Sequence, residues 1–382
     1  MTQTPPPARL VVKVGTSTLT DAHGRIDRAF IADLTAQLAA LRAQGRDVLL
    51  VSSGAIRAGR ERLSQALPPD SLPYKQAAAA IGQGLLIHTY TEAFAWRGVD
   101  CAQVLLTRDD LSDRRRFLNA RNTLMALLSL GVIPVINEND TVAVDEIKFG
   151  DNDTLAALVA TLVEADLLLI LSDVEGLYAY PPGSQAGTPP LIRTVTKIDE
   201  AVAALAGDSA SGVGTGGMRA KVEAARIATA AGIRAIIAPG RRERVVSEVV
   251  SGAEIGTTFL PRPSADRLPA RKRWIAHSAR PRGAVTVNAR AKEKLKESGV
   301  SLLAVGIVGV TGSFTSGDLI EVRDEEGTVF GRGLTNYAAA EVRRVQGLRS
   351  EQFEAVLGYR GFEEIIHRDN LVIDGAGKPG RK

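Results

Sequence analysis

Three residues of this sequence suit anion chemistry: Lys13, Asp153 and Lys221. A lysine ammonium is a compact charge, and two of them can neutralise a phosphoryl group during transfer. Lys13 stands in Lys13-Val14-Gly15-Thr16-Ser17. Lys221 follows the stretch Gly212-Val213-Gly214-Thr215-Gly216-Gly217-Met218. The two lysines are expected from opposite ends of a sheet, with Asp153 between them holding both in register.

Small-residue turns accompany the lysines. Gly15 and the Ser52-Ser53-Gly54-Ala55 stretch expose backbone N–H groups, and a helix N-terminus beyond such a turn adds partial positive charge. A single glycine turn would be only a connector; two turns and a glycine-rich loop together favour phosphate binding. A second cluster, Asn137, Asp140, Asn152 and Asp153, suits a small zwitterion. A carboxylate such as Asp140 pairs with an ammonium group, and amides donate or accept. Helix capping explains one of Asp151, Asn152 and Asp153, not all three.

The acceptor can be inferred from what is lacking. A carboxylate of pKa about 4.3 is already an anion at neutral pH and needs no general base. A hydroxyl acceptor would want one. The four histidines, His23, His88, His277 and His367, are scattered without metal-ligand spacing, so no protein metal site is expected. Gly212, Gly214 and Gly217 fit G-x-G-x-x-G but follow loop composition instead of a buried strand, which rejects a dinucleotide fold. No P-loop pattern occurs. His367-Arg368-Asp369-Asn370 imitates a protein-kinase catalytic loop without its partner motif.

The elements that must carry these residues read as α/β. Leu10–Val14, Val48–Val51, Val104–Leu106, Val132–Ile136, Leu167–Leu171 and Ala235–Ala238 are short apolar runs, suited to strands buried on both faces. Phe30, Leu34, Leu38 and Leu41 share one helical face, as do Leu155, Leu158, Val159 and Leu162. The alternation predicts a mostly parallel, doubly wound sheet, whose ligands bind at the carboxyl ends of the strands. The chemistry-bearing residues, Ser172-Asp173 among them, follow those runs.

Length and composition bound the rest. A chain of 382 residues exceeds what one core usually holds. Pro261, Pro263 and Pro269 mark a break, after which short strand-like runs dominate: Gly283–Val287, Leu302–Ile307, Val310–Phe314 and Gly317–Val322. The net charge is +4, but residues 1–260 carry 26 basic and 28 acidic groups. The excess lies in the break and the tail, which reads as a basic connector. Lys292, Lys294 and Lys296, interleaved with Glu293 and Glu297, look like a solvated helix face. A single cysteine, Cys101, suits a reducing compartment. With no apolar leader and no run long enough to span a bilayer, a soluble cytoplasmic protein without membrane contact is expected.

The ordered motifs KVGTS at Lys13, SSGA at Ser52, RFLNARNTL at Arg116, NEND at Asn137, FGDND at Phe149, SD at Ser172 and GTGGM at Gly214 closely resemble the glutamate 5-kinases of the amino acid kinase fold, over essentially the whole chain. The resemblance implies an amino acid kinase domain over residues 1–262, a linker over 263–281, and a small β-rich PUA-like domain with a C-terminal tail over 282–382. It implies ATP, Mg²⁺ and L-glutamate as ligands and L-glutamyl 5-phosphate, the first intermediate of proline synthesis, as product. Lys13, Lys221 and Asp153 match the catalytic positions. Ser53, Gly54, Asn137, Asp140 and Asn152 match the substrate positions. Lys13, Gly15, Ser172, Asp173, Thr215, Gly216, Gly217, Met218 and Lys221 match the ATP positions. Ser172 stands where many members carry Thr, and Arg219-Ala220 replaces a small polar pair.

The resemblance further implies proline as feedback inhibitor, homo-oligomerisation, and hand-over of the labile product to a glutamyl phosphate reductase. PUA domains elsewhere bind RNA; the modest charge and sparse aromatics here favour a structural or oligomer-tuning role instead. The alternatives are a related acetylglutamate or uridylate kinase, and an RNA-binding protein with an inactive kinase-like body. The NEND and FGDND motifs and the appended domain oppose the first. The presence of Lys13, Asp153 and Lys221 opposes the second.

Overall fold

Continuous apolar runs build the centre of the main sheet, because a strand covered by helices on both faces has no solvent side to keep polar. The computed structural model describes residues 6–63, 71–143, 152–180, 189–206, 217–261, 281–359 and 361–373. The chain divides into two compact units, with the main boundary between Arg267 and Leu268.

The first unit begins β1 (Arg9–Val14), α1 (Thr16–Leu19), α2 (Arg28–Ala43), β2 (Asp47–Ser52), α3 (Ala55–Leu63) and α4 (Leu72–Ala95). It continues β3 (Cys101–Leu106), α5 (Arg108–Ser112), α6 (Arg114–Ser129), β4 (Ile133–Glu138), α7 (Asn152–Leu162) and β5 (Leu167–Ser172). It closes with β6 (Thr194–Val195), α8 (Glu200–Leu205), α9 (Met218–Ala230), β7 (Arg234–Pro239), α10 (Val245–Val250) and β8 (Thr257–Phe259). The strand order is β3-β4-β2-β1-β5-β7-β8-β6. Neighbours are parallel except β7 and β8. This is the mostly parallel α/β sheet expected of the fold class.

Alternation along β1 sorts the two cores. Val11 faces the side covered by α6, α7 and α9, with Leu124, Leu158 and Ile227. Leu10, Val12 and Val14 face the side covered by α2, α4 and α10, with Leu34, Leu86 and Val246. Each such side chain contributes about 1.5–3 kcal/mol by leaving water. Helix α2 starts where Asp27 accepts a hydrogen bond from the Phe30 N–H at 3.0 Å, a cap worth about 1 kcal/mol.

Helices α3 and α4 pack backbone to backbone. A Cβ on Gly59 would stand 1.8 Å from the Ala78 carbonyl oxygen, and one on Gly82 would stand 1.8 Å from that of Ala55. Only glycine permits this approach, and it fixes α4 against the turn that follows β2. Among the described residues, no helix is long and apolar enough to cross a membrane.

The second unit contains β9 (Gly283–Val287), α11 (Ala289–Ser298), β10 (Ile307–Gly312), β11 (Leu319–Arg323), β12 (Val329–Leu334), α12 (Ala339–Val345), α13 (Phe353–Leu357) and β13 (Leu371–Ile373). Its separate sheet has the order β10-β9-β11-β12-β13. Val285, Ile320, Val322, Phe330 and Val342 form its core, and Tyr337 meets Phe353 edge to face at 5.7 Å. Of the expected strand over Leu302–Ile307 only Ile307 lies in one, as the first residue of β10; Leu302 forms an isolated bridge and Ala304–Gly306 a 3₁₀ turn. The Leu303 carbonyl takes the Gly306 N–H and the Ala304 carbonyl the Gly347 N–H, so both are used in local and loop contacts instead of in a ladder. The lysine face of α11 is not wholly solvated either, since Lys292 Nζ lies 2.8 Å from Asp324 Oδ2. The expected linker is almost wholly within residues 262–280, outside the described residues.

Candidate active site

The carboxyl ends of β1, β2, β4 and β5 and the N-termini of α7 and α9 carry the described residues singled out from the sequence. Asp153 lies in the first turn of α7 and is fully buried. Its Oδ1 is 2.6 Å from Lys13 Nζ on β1, and its Oδ2 is 3.2 Å from Lys221 Nζ on α9. Both lysines are buried as well. Burial alone would raise the Asp153 carboxyl; the two ammonium groups outweigh it and hold the group below the ordinary carboxylate value. The lysines therefore do not come from opposite ends of a sheet. Lys13 is on a central strand and Lys221 is on a helix, because α9 packs on α7 and reaches the same carboxylate.

Beside this cluster lies a run of amides. Asn152, the first residue of α7, donates from Nδ2 to Ser53 Oγ and to Asn137 Oδ1, both at 2.9 Å. Its Oδ1 is buried without a hydrogen-bond partner among the described residues. Asn137, the penultimate residue of β4, is 2% exposed, and its Oδ1 also accepts the Glu138 N–H at 2.9 Å. Asp140 stands just past β4, and burial pushes its carboxyl up to about 6. Ser53 follows β2, and its N–H donates to the Val14 carbonyl at 3.1 Å, tying the ends of β1 and β2 together. Gly54 has φ +101°, a conformation that favours glycine.

On the β5 side, Ser172 is buried and its hydroxyl donates to Asp173 Oδ1 at 3.1 Å. Asp173 is exposed. Gly240 donates its N–H to the Ser172 carbonyl at 2.7 Å, joining the ends of β5 and β7. Gly15 precedes α1, with Lys13 Nζ 3.4 Å from where its Cβ would be. Gly217 caps α9 and Met218 opens it. Thr215, Gly216, Phe149, Gly150 and Asp151 lie outside the described residues. Of the described histidines, His23, His88 and His367, none touches these groups. Among the described residues no three His, Cys, Asp or Glu side chains group as metal ligands.

The amino acid kinase family model matches residues 8–239, and the PUA domain model matches residues 283–357. Glutamate 5-kinases of Pelobacter propionicus and Trichlorobacter lovleyi are each 50% identical over 367 residues, spanning 96% of this chain and 97% and 96% of theirs. The glutamate 5-kinase of Myxococcus xanthus is 50% identical over 365 residues, spanning 96% of each. The chain belongs to the glutamate 5-kinase family.

Membership in the glutamate 5-kinase family makes this a phosphotransferase, with glutamate and ATP as the substrates a glutamate 5-kinase uses. The arrangement has the parts such a reaction needs: a buried pair of ammonium groups, a strand-end hydroxyl, and amide and carboxylate groups alongside.

Two contacts with this cluster were not foreseen from the sequence. Gln83 Oε1 accepts from Asn137 Nδ2 at 2.7 Å, and the Tyr90 hydroxyl lies 2.9 Å from Ser52 Oγ. Burial pushes the Tyr90 hydroxyl far above its ordinary range, so it stays protonated. Both residues come from α4. Polar residues seven apart on the buried side of an apolar helix were the available signal.

Proposed function

We propose that the chain transfers the γ-phosphoryl group of ATP to the side-chain carboxylate of L-glutamate, giving L-glutamyl 5-phosphate and ADP, the first step of proline biosynthesis. The observation that carries this reading is the buried Lys13–Asp153–Lys221 cluster, next in sequence to Asn152 and its hydrogen bonds to Ser53 and Asn137.

A carboxylate oxygen of glutamate attacks the γ-phosphorus while the bond to the bridging oxygen breaks, and ADP leaves with the electron pair. Lys13 and Lys221 neutralise the transferring group and the leaving phosphate, and Asp153 keeps them spaced. No general base is needed, because the acceptor is already ionised. Ser53 and Gly54 hold the acceptor carboxylate and the transferring phosphoryl. Asp140 pairs with the α-ammonium group, and Asn152 and Asn137 complete the substrate site. Gly15, Ser172, Asp173 and the Thr215, Gly216, Gly217, Met218 segment hold the nucleotide.

Both oxygens of Asp153 face lysines, and no group of three ligands exists among the described residues. These residues fit a Mg²⁺ carried in by the triphosphate better than one held in a protein cage. When bound, it would screen the phosphate charge.

The kinase domain spans residues 1–262 and the PUA-like domain with its tail residues 282–382. Proline is the feedback inhibitor, the assembly is a homo-oligomer, and the acyl phosphate passes to a glutamyl phosphate reductase. The test is hydroxylamine trapping of the acyl phosphate formed by the purified protein from L-glutamate and ATP.

A further inference from the structure

Asn137 has a fixed orientation. The Glu138 backbone N–H can only donate, and it points at Asn137 Oδ1 at 2.9 Å. That atom is therefore the amide oxygen, and the other end of Asn137 is its NH₂ group. The NH₂ group donates to Gln83 Oε1 at 2.7 Å, with both residues buried.

The same logic passes outward. Asn152 Nδ2 lies 2.9 Å from the Asn137 oxygen and must donate to it. Its second hydrogen goes to Ser53 Oγ at 2.9 Å. Ser53 is then an acceptor toward Asn152, which leaves its own hydrogen for an acceptor in the site. The Asn152 oxygen, buried and without a partner among the described residues, is left to accept an N–H. One backbone N–H thus sets the polarity of the whole row. The site presents a hydroxyl donor and an amide acceptor, the two senses that a carboxylate and an ammonium group require.

We propose that Gln83 is a positioning residue for the amino acid substrate: by accepting from Asn137 it holds this row of amides in the orientation that binds a zwitterion. The proposal rests on the reading of the pocket as the glutamate site. Gln83 needs no contact with substrate. It acts from behind, on a helix whose position is set by the Gly59 and Gly82 contact with α3. Helix α3 in turn begins directly after Ser53 and Gly54. Removing the acceptor strands a buried NH₂ group, and Asn137 can relieve it only by giving up its bond to Glu138 or to Asn152.

Steady-state kinetics of the full chain test this. Gln83→Met keeps the shape and removes the acceptor. It should raise the glutamate KM about tenfold, the scale of one lost buried hydrogen bond, and leave the ATP KM within about twofold. Gln83→Glu keeps an acceptor oxygen in either protonation state and should stay within about threefold of the parent on both. A purely structural role would reverse that order, because a buried carboxyl is harder to tolerate than a thioether. An unchanged glutamate KM in Gln83→Met, or equal impairment of both variants, overturns the proposal. If Gln83→Met does not fold, Gln83→Glu alone decides, and a glutamate KM raised more than tenfold overturns it. A parent protein that makes no hydroxamate from glutamate overturns the reading of the site and this proposal together. An active parent with an unaffected Gln83→Met overturns only this one.

Discussion

Lys13 and Lys221 are held by opposite oxygens of one buried carboxylate, that of Asp153, at 2.6 and 3.2 Å. Three charges with a net of +1 are thereby fixed out of water at the strand ends. Preorganised charge of this kind needs no rearrangement when a phosphoryl group arrives, and the effect is strongest where water is excluded.

Replacing either lysine by alanine should therefore lower turnover by roughly 10²–10³, the usual loss when one transition-state charge stabiliser is removed. Initial rates at saturating glutamate and ATP measure it. A loss below about tenfold removes that lysine from the mechanism.

Asp153→Asn keeps the size and removes the charge, leaving two ammonium groups facing each other in a buried site. Breaking one side of a buried ion cluster costs about 3–5 kcal/mol, so both urea stability and turnover should fall. Parental stability in this variant would mean that the lysines are not held together by the carboxylate.

Asp140 titrates in an accessible range, since burial pushes it to about 6. Protonated, it cannot pair with an ammonium group, so kcat/KM for glutamate should fall as pH drops below about 6. Asp140→Asn should have a lower kcat/KM and lack that limb. The terminal phosphate of ATP titrates nearby, so the comparison with the variant isolates Asp140. Stability runs the opposite way. Between the ordinary 3.8 and about 6 the folded chain holds the proton that the unfolded chain has lost, so stability falls as pH rises through this window. Ligand-free Asp140→Asn should accordingly melt higher at pH 7.5, and a lower melting temperature would contradict the burial argument.

Gly54 tests the turn between β2 and α3. Its φ of +101° suits glycine, and a Cβ there would stand 2.9 Å from Leu19 Cδ2. Gly54→Ala should cost about 1–3 kcal/mol and raise the glutamate KM, because relief of the strain moves Ser53. Thermal melts and glutamate titrations check both effects.

The strands around the site were legible because residues such as Val48–Val51 and Leu167–Leu171 are covered on both faces and read as unbroken apolar runs. β6 and β8 were not, since two or three residues carry no period. The edge strand β3 was read only over Val104–Leu106, because the exposed Gln103 interrupts its apolar run. The lysines and polar turns were visible as local motifs. The Gln83 bond to Asn137 joins residues 54 apart and exists only because two glycines let α4 touch α3, a tertiary fact that no local pattern records. Leu302–Ile307 misled for a similar reason: its carbonyls are taken by a turn and by Gly347.

The most direct measurement is hydroxamate formation by the purified chain with ATP, Mg²⁺ and hydroxylamine, comparing L-glutamate, N-acetylglutamate and aspartate, with ATP consumption followed in parallel for UMP. Hydroxamate with L-glutamate alone, lost in Lys221→Ala, is the predicted result. ATP turnover with another acceptor, or none with L-glutamate, would contradict it.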